Sequence, residues 1–352
     1  MQYVGVDYHK RFSYLIIMDE KGNIVKEGKI NNTKESLNRF LNNPHSRKPA
    51  QAVLEAGRNW TVMYDWLEEE IDNVKLAHPY KVKAIAEAKI KTDKIDAKTL
   101  AHLLRADLIP EAYVPNKETR HIKNILRQRM FFVKLSTMVK NRIYLLLDRH
   151  PELREEFDFE DLFTKQGRRW LSIVKLPDKD RKLLNQELSL LQALEDRINL
   201  SNSWVSSIGK KNKLVRLLMT IPGIGKFFAL LILAEIDDIT RFRHKNKLCA
   251  YAGLIPSIFS SGNRTRTGKI TKQGNKYLRW AMIEAVWPAI RKDLRLRTYY
   301  QGIKTRKDSA NKAKVATARK LLTIVYQVLK TQKPYRLDYS GYPHIYLAKA
   351  NN

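Results

Sequence analysis

Four acidic residues near the start of the chain stand where their carboxylates could meet. Asp7 and Glu55 each follow a short apolar run that predicts a strand, and strand ends often lie at one edge of a sheet. Asp93 and Asp96 are three residues apart in a helical pattern, so they share one helix face. Carboxylates arranged in this way suit Mg²⁺, which also binds water and phosphate oxygens. Two such ions could hold the attacking and leaving oxygens of a phosphoryl transfer.

A simpler interpretation of these acids also stands. Asp93 and Asp96 could pair with the lysines around them, and an acid after a strand is often a solvated turn residue. However, Asp7 and Glu55 occupy positions where a packed residue is expected, and a carboxylate there needs a compensating partner. The residues alone leave both interpretations open.

A second candidate site is a serine in a basic, glycine-containing segment. Ser260 and Ser261 precede Gly262, and several cations follow them. A serine so placed could attack a phosphodiester, but it needs an activating group and no histidine is near it in the sequence. Arginine could neutralise charge on the phosphoryl group by paired hydrogen bonds. The alternative, a loop that grips phosphate and uses serine only as a donor, is favoured by the residues alone. The cations are Arg264, Arg266, Lys269, Lys272 and Arg279.

A glycine turn precedes this segment. Gly223 and Gly225 lie in Ile221-Pro222-Gly223-Ile224-Gly225, before an apolar helix, as in a helix-hairpin-helix element. Glycines there let backbone N–H groups approach a phosphate. An ordinary connection between two helices has a similar sequence.

The charge of the chain points to a polyanionic partner. Its 352 residues include 66 Lys and Arg against 36 Asp and Glu, a net charge of +30. Residues 262–330 contain 18 basic and 3 acidic residues, half of the excess in a fifth of the chain. Solubility alone needs far less charge, so we expect nucleic acid rather than a membrane surface.

Other composition features exclude several classes of protein. The lone Cys249 excludes a disulfide framework and a multi-cysteine zinc site. The longest apolar run, residues 227–234, is too short for a membrane span, and charged residues interrupt the N-terminus where a signal peptide would be apolar. We expect a soluble, intracellular protein.

The elements that must position these residues change along the chain. Three strands are predicted first, at Gln2–Tyr8, Phe12–Met18 and Ile24–Ile30, and later strands alternate with helices, which indicates a mixed α/β sheet. A single helical pattern covers Val82–Leu108. From Lys117, apolar residues recur at coiled-coil spacing in two long segments, which suggests a helical hairpin or a dimerisation arm. Further helices are predicted at Asn275–Ile290 and Ala310–Lys330.

We therefore expect an α/β domain followed by mainly helical parts. The predicted divisions are an α/β catalytic domain at 1–115, a helical arm at 116–213, a C-terminal domain at 214–333 that carries the serine, and an irregular tail at 334–352.

The acidic and serine motifs together resemble those of a known family. Asp7, Glu55, Asp93 and Asp96, in this order, resemble the DEDD tetrad of the IS110 insertion-sequence transposases, and the segment Lys91-Thr92-Asp93-Lys94-Ile95-Asp96-Ala97 is especially similar. The second group of motifs consists of Ala252-Gly253-Leu254-Ile255-Pro256, Ser260-Ser261-Gly262, Ile270-Thr271-Lys272-Gln273-Gly274-Asn275 and Leu278-Arg279. The resemblance extends through nearly the whole chain.

The resemblance implies a specific function. The first domain would be RuvC-like, of the RNase H type, with Mg²⁺ held by the tetrad. Ser261, directly before the glycine, would form a phosphoserine with DNA, and Ser260 is the fallback. A structured noncoding RNA, the bridge RNA, would pair with target and donor DNA. A homo-oligomer, dimer or tetramer, would assemble through the arm in the prokaryotic cytoplasm, with the tetrad of one subunit serving the serine of another.

Two rival functions remain from the sequence. A metal-only, RuvC-like nuclease that cuts branched DNA would use the tetrad and leave Ser261 as a binding residue. A non-catalytic protein that packages nucleic acid would explain the charge but not the four acids.

Overall fold

The protein is described by a computed structural model that covers residues 1–42, 50–57, 59–86, 92–154, 161–261 and 264–337. It divides into two compact units, Met1–Pro115 and Asn116–Asn352.

The first unit is built on a mixed five-stranded sheet, which confirms the predicted α/β class. The strand order is β3-β2-β1-β4-β5. Strand β1 pairs antiparallel with β2 and parallel with β4, and β4 pairs parallel with β5. The strands are β1 (Gln2–Tyr8), β2 (Phe12–Met18), β3 (Ile24–Asn31), β4 (Ala50–Glu55) and β5 (Asn73–Ala77).

Helices cover both faces of this sheet. On one face, Val6 and Leu54 pack in a cluster with Leu37 and Met63. On the other face, Ile16 belongs to a separate cluster with alanines of the fourth helix. The helices are α1 (Lys34–Leu41), α2 (Trp60–Glu70), α3 (Pro79–Ile85) and α4 (Asp93–Arg105).

The single helix predicted over Val82–Leu108 is wrong. The structure has two helices there, α3 and α4, and α3 already begins at Pro79, since proline is well tolerated in the first turn. Thr92 caps α4, because its side chain accepts a hydrogen bond from the Ile95 N–H at 3.2 Å. A capping threonine is a signal for a new helix start. Here the apolar spacing continues on both sides of Thr92, and it favoured a single helix.

Two long helices of the second unit form the predicted hairpin. Arg129 bonds to Asn202, and Arg142 bonds to Glu187, so the helices run antiparallel. Apolar side chains at heptad spacing are buried between them, as at Leu184 and Leu191. The elements are α5 (Lys117–Leu147), α6 (Lys165–Ile173) and α7 (Asp178–Lys211).

The other described residues of the second unit form a helical assembly that includes a β-hairpin. Strands β6 (Pro256–Ser261) and β7 (Arg264–Ile270) form that antiparallel hairpin, which the sequence analysis did not predict. The predicted helix over Asn275–Ile290 is two helices, and a further helix at Leu294–Lys307 was missed. The helices are α8 (Lys213–Leu218), α9 (Lys226–Ile236), α10 (Lys245–Tyr251), α11 (Lys276–Glu284), α12 (Val286–Lys292), α13 (Leu294–Lys307) and α14 (Ala310–Thr331).

A buried carboxylate links the helical arm to the segment that follows the β6–β7 hairpin. Glu235 on α9 is fully buried. Arg127 on α5 donates to both of its oxygens, at 2.8 and 3.1 Å, and Asn275, five residues after β7, donates at 2.8 Å. The Lys123 ammonium lies 3.7 Å away, and burial lowers the pKa of Lys123. The network therefore fixes where the segment after β7 lies relative to α5.

We expect Arg127→Ala to lower the free energy of unfolding by about 3 kcal/mol, because Glu235 keeps a buried charge without its main partner. Urea unfolding followed by circular dichroism measures this change. The matched control is Arg142→Ala on the same helix, whose side chain is 69% exposed. An exposed ion pair contributes about 1 kcal/mol or less. Equal losses in the two variants would contradict the role given to Glu235.

Candidate active site

Asp7 and Glu55 lie at neighbouring strand ends, as predicted. In the parallel pair β1 and β4, Val6 is opposite Leu54, so Asp7 and Glu55 take the next position along each strand. The carboxyl ends of adjacent parallel strands share one edge of the sheet. The fold therefore brings two acids together that are far apart in the sequence.

The first turn of α4 is brought to this edge by a close packing contact at Gly5. A Cβ at Gly5 would lie 2.1 Å from the Ala97 carbonyl oxygen and 2.7 Å from the Ala101 nitrogen. Only glycine on β1 lets α4 approach so closely. Asp93 and Asp96 stand in the first turn of α4, where acids also suit the helix dipole. Gly5 was not singled out from the sequence, since its role depends on a helix 92 residues further on.

Three of the four acids line one cavity of about 320 Å³. Asp7, Glu55 and Asp96 line it, together with Tyr80 and Lys83 of α3. The cavity joins the sheet edge to α3 and α4 of the first unit. It is large enough for a cation with bound water or for a phosphate group.

The fourth acid joins the group through a histidine that sequence reasoning missed. His9 Nε2 lies 3.1 Å from Asp7 Oδ2 and 3.0 Å from Asp93 Oδ1. Ligand atoms of these three residues all lie within 4.8 Å of one another. His9 stands two residues after Asp7, and this spacing at the end of a strand was the available signal.

The electrostatics of Asp7 fit a cation site. Burial raises the pKa of the Asp7 carboxyl above its usual value. His9 acts against this shift, while the charges of Asp96 and Asp93 raise the pKa further. A cation would relieve both the burial and the repulsion among the carboxylates, so the donor set is chemically suited to a divalent metal.

The serine candidates lie on the hairpin of the second unit. Ser260 and Ser261 are the last two residues of β6, and Ser261 is paired with Arg264 at the start of β7. The structure describes the backbone here, and Gly262 between the strands lies outside the described residues. Arg266 and Lys269 on β7 are exposed.

Lys272 and Arg279 lie beyond the end of β7. Lys272 is exposed and has a left-handed backbone with a φ of 54°. Arg279 is half-buried, and its Nη1 donates to the Ala252 carbonyl at 2.8 Å. This nitrogen is close to Gly253, where a Cβ would lie 2.6 Å from it. Arg279 therefore braces the turn that leads into the hairpin, and a phosphate contact by it stays a prediction.

The two glycines of the predicted phosphate turn have different surroundings. A Cβ at Gly223 would lie 2.4 Å from the Ala285 carbonyl oxygen, and its φ is 86°, so packing and backbone conformation both require glycine there. Gly225 is exposed, caps α9 and has open space at its Cβ position. A phosphate contact stays a prediction for both residues.

None of the helices in the described part of the chain combines the length and the apolar character that a membrane span requires.

Two family models together match more than half of the chain. Residues 4–151 match a model described as a DEDD transposase of the IS110 type. Residues 215–301 match the model of the transposase IS116/IS110/IS902 family. The first match contains the whole acidic group, and the second contains the β6–β7 hairpin.

Curated relatives agree with these matches. A probable family 20 transposase of Pseudomonas aeruginosa is 28% identical over 77% of this chain and 81% of its own length. The transposase for insertion sequence element IS1111A of Coxiella burnetii is 25% identical over 95% of this chain and 91% of its own. A pilin gene-inverting protein of Moraxella bovis is 27% identical over 80% and 81%.

The fold, the acidic edge and these matches define a DNA-processing enzyme of the transposase class. The chain belongs to the IS116/IS110/IS902 family of transposases. The family resemblance drawn from the sequence is thereby confirmed.

Proposed function

We propose that the chain is a recombinase of an insertion sequence, which cuts and rejoins DNA through a serine–DNA intermediate. The observation that carries the proposal is the convergence of Asp7, Glu55 and Asp96 on one cavity, with Asp93 linked to Asp7 through His9. In this proposal the first unit is a RuvC-like catalytic domain. Residues 116–213 are the arm, and residues 214–333 carry the serine.

The four carboxylates of the tetrad would hold Mg²⁺, which supplies charge stabilisation for phosphoryl transfer when bound. Asp7, Glu55, Asp93 and Asp96 would hold the ion, and the cavity that three of them line would accept the DNA phosphate. The burial that raises the pKa of Asp7 also strengthens its attraction for a cation.

Ser261 is the proposed nucleophile. Its hydroxyl oxygen forms a bond to the scissile phosphorus, and the bond to one deoxyribose oxygen breaks. The serine proton leaves to solvent through the site, and the departing oxygen is protonated as a hydroxyl. A DNA hydroxyl then attacks the phosphoserine, which restores the phosphodiester and the free serine without any outside energy source. Arg264, Arg266, Lys269 and Lys272 hold backbone phosphates, and Arg279, Gly223 and Gly225 assist.

The partners in this proposal are the element DNA, the target DNA and a structured noncoding RNA that pairs with both. The charge of residues 262–330 supports contact with long stretches of nucleic-acid backbone. The exposed Arg266, Lys269 and Lys272 lie in this segment.

A homo-oligomer, dimer or tetramer, is proposed because the arm exposes apolar side chains at heptad spacing. These side chains lie outside the contact between α5 and α7. Phe131, Met138 and Leu145 on α5 are 52%, 52% and 65% exposed. Leu183 and Leu190 on α7 are 45% and 50% exposed. A second copy of the arm could cover such stripes in a four-helix bundle. In this proposal the tetrad of one subunit serves the serine of another.

We expect Met138→Lys combined with Leu145→Lys to reduce the mass in solution to the 41.1 kDa of one chain. Two lysines in an apolar helix contact leave unpaired buried charges. Light scattering after size-exclusion chromatography measures the mass. Asn141→Lys, an exposed position on the same helix, is the control and should keep the oligomer. A wild-type chain that is already monomeric would refute the assembly.

The proposed function itself is tested with the purified wild-type protein, the RNA transcribed beside its reading frame, and DNA that carries the element end and target. Joined DNA is expected with Mg²⁺ and none with a chelator. Joining that persists in the chelator would contradict the metal-dependent mechanism.

A further inference from the structure

We propose that His9 is a fifth metal donor, and that its nitrogen makes the site prefer Mn²⁺ to Mg²⁺. This inference rests on the proposed metal site of the tetrad and names the ion that the site favours. It comes from the position of His9 between two carboxylates that the tetrad motif already contains.

Two of the three distances among these donor atoms suit adjacent ligands of one ion, and the third is within 4.8 Å. His9 Nε2 lies 3.1 Å from an Asp7 oxygen and 3.0 Å from an Asp93 oxygen. Adjacent ligands around an octahedral ion with bonds of about 2.1 Å lie about 3 Å apart. The hydrogen bonds of His9 to the two carboxylates thus already set the spacing that neighbouring ligands require.

The turn between β1 and β2 holds the backbone of His9, from which the imidazole extends to the two carboxylates. The His9 backbone N–H donates to the Phe12 carbonyl at 3.0 Å, and the His9 carbonyl accepts from Asn32 Nδ2 at 2.6 Å. The imidazole also packs on the Phe12 ring, with 5.0 Å between the ring centroids. Asn32 is itself held by the buried Ser13, whose hydroxyl donates to it at 2.6 Å. A donor oriented in this way loses little freedom when it binds an ion.

The imidazole nitrogen of His9 determines which divalent ion the site prefers. Mg²⁺ is a hard ion that binds oxygen and gives up its water reluctantly. Imidazole is a softer donor, and the affinity of first-row metals for nitrogen ligands begins to rise with Mn²⁺. A site of four carboxylates alone discriminates little between the two ions. With His9 as a ligand, the ratio of Mn²⁺ to Mg²⁺ affinity should rise by about tenfold.

The alternative is that His9 only orients the carboxylates of Asp7 and Asp93. In that case, replacing His9 weakens Mn²⁺ and Mg²⁺ by the same factor. The distinguishing quantity is therefore the ratio of the two dissociation constants, together with a direct signal from a bound nitrogen.

The experiment uses the full chain with Mn²⁺ alone and with Mg²⁺ alone. Pulsed electron paramagnetic resonance of the Mn²⁺ complex should show a directly bound ¹⁴N in the wild type and none in His9→Gln, whose amide oxygen replaces the nitrogen. Titration calorimetry should show that His9→Gln weakens Mn²⁺ about tenfold more than Mg²⁺. His102→Gln on α4 is the matched control and should keep both the signal and the ratio.

The outcomes separate this inference from the proposed function. If Mn²⁺ binds, Asp96→Asn weakens its binding and the wild type shows no nitrogen signal, the role of His9 is refuted and the tetrad site stands. An unchanged affinity ratio in His9→Gln also refutes it. If the wild type binds neither ion, both the inference and the proposed metal site fail.

Discussion

Asp96→Asn should lower the rate of DNA joining at least about a thousandfold, equivalent to about 4 kcal/mol of transition-state stabilisation. The substitution keeps the size of the side chain and removes one negative charge from the cavity that Asp7 and Glu55 share. A metal ion at a phosphoryl-transfer centre contributes several kcal/mol, so a weakened site should lose most of the activity. The measurement is the single-turnover rate of joining with saturating Mg²⁺.

The control for this variant is Asp107→Asn in the same unit. Asp107 is 86% exposed and forms an ion pair with Lys75, and its backbone is left-handed, which asparagine tolerates. Its joining rate should match the wild type. DNA binding should be unchanged or slightly tighter in Asp96→Asn, because a negative charge is removed. If joining survives in Asp96→Asn, the tetrad is not the catalytic centre.

The sheet was largely predictable because its signals are local. The predicted bounds of β1 and β2 equal the observed ones, and β3 extends one residue further, to Asn31. Strands β1 and β2 bury several apolar side chains each, so their composition identifies them without knowledge of the partner strands. The heptad spacing of α5 and α7 is a local signal of the same kind.

The hairpin and α13 were missed because charge conceals their patterns. Strand β7 begins with alternating arginine and threonine, which is a strand period, but the cations suggested a loop. Helix α13 has few apolar residues and depends on tertiary contacts. Its N-cap Asp293 is fully buried and accepts hydrogen bonds from the Arg295 and Leu296 backbones. The Asp293 carboxylate also accepts a hydrogen bond from the hydroxyl of Tyr335, 42 positions away, and such support from a distant residue cannot be read from a local window.

The candidate site was predictable in its residue types and not in its geometry. Strand ends and the family motif identified the acids, but two further features depend on contacts across the fold. Gly5 allows α4 to contact β1. His9 lies between the side chains of Asp7 and Asp93, although Asp93 is 84 positions further along the chain. Both features join segments that only the packing of helix on sheet brings together.

Ser261→Ala should abolish the covalent protein–DNA adduct and reduce joining at least about a thousandfold, because no other group is proposed to bond the phosphorus. The adduct is measured by denaturing electrophoresis with labelled DNA, trapped on a substrate that cannot be rejoined. Binding of DNA should stay at the wild-type level, since the lost hydroxyl is small beside the phosphate contacts of the basic segment.

Ser260→Ala is the matched control because Ser260 and Ser261 are consecutive on β6. Successive residues of a strand belong to opposite faces, so only one of the two positions can face a given phosphate. Ser260→Ala should therefore keep the adduct. The reverse result, an adduct lost in Ser260→Ala and kept in Ser261→Ala, would move the nucleophile by one residue and leave the chemistry in place.

A third result would separate the recombinase from a metal-only nuclease. If both alanine variants cleave DNA at the wild-type rate while Asp96→Asn does not, the tetrad acts without a serine intermediate. Water would then be the nucleophile, and the hairpin would serve only to bind DNA. Because hydrolysis does not conserve the energy of the phosphodiester, such an enzyme would release cut ends and could not rejoin them.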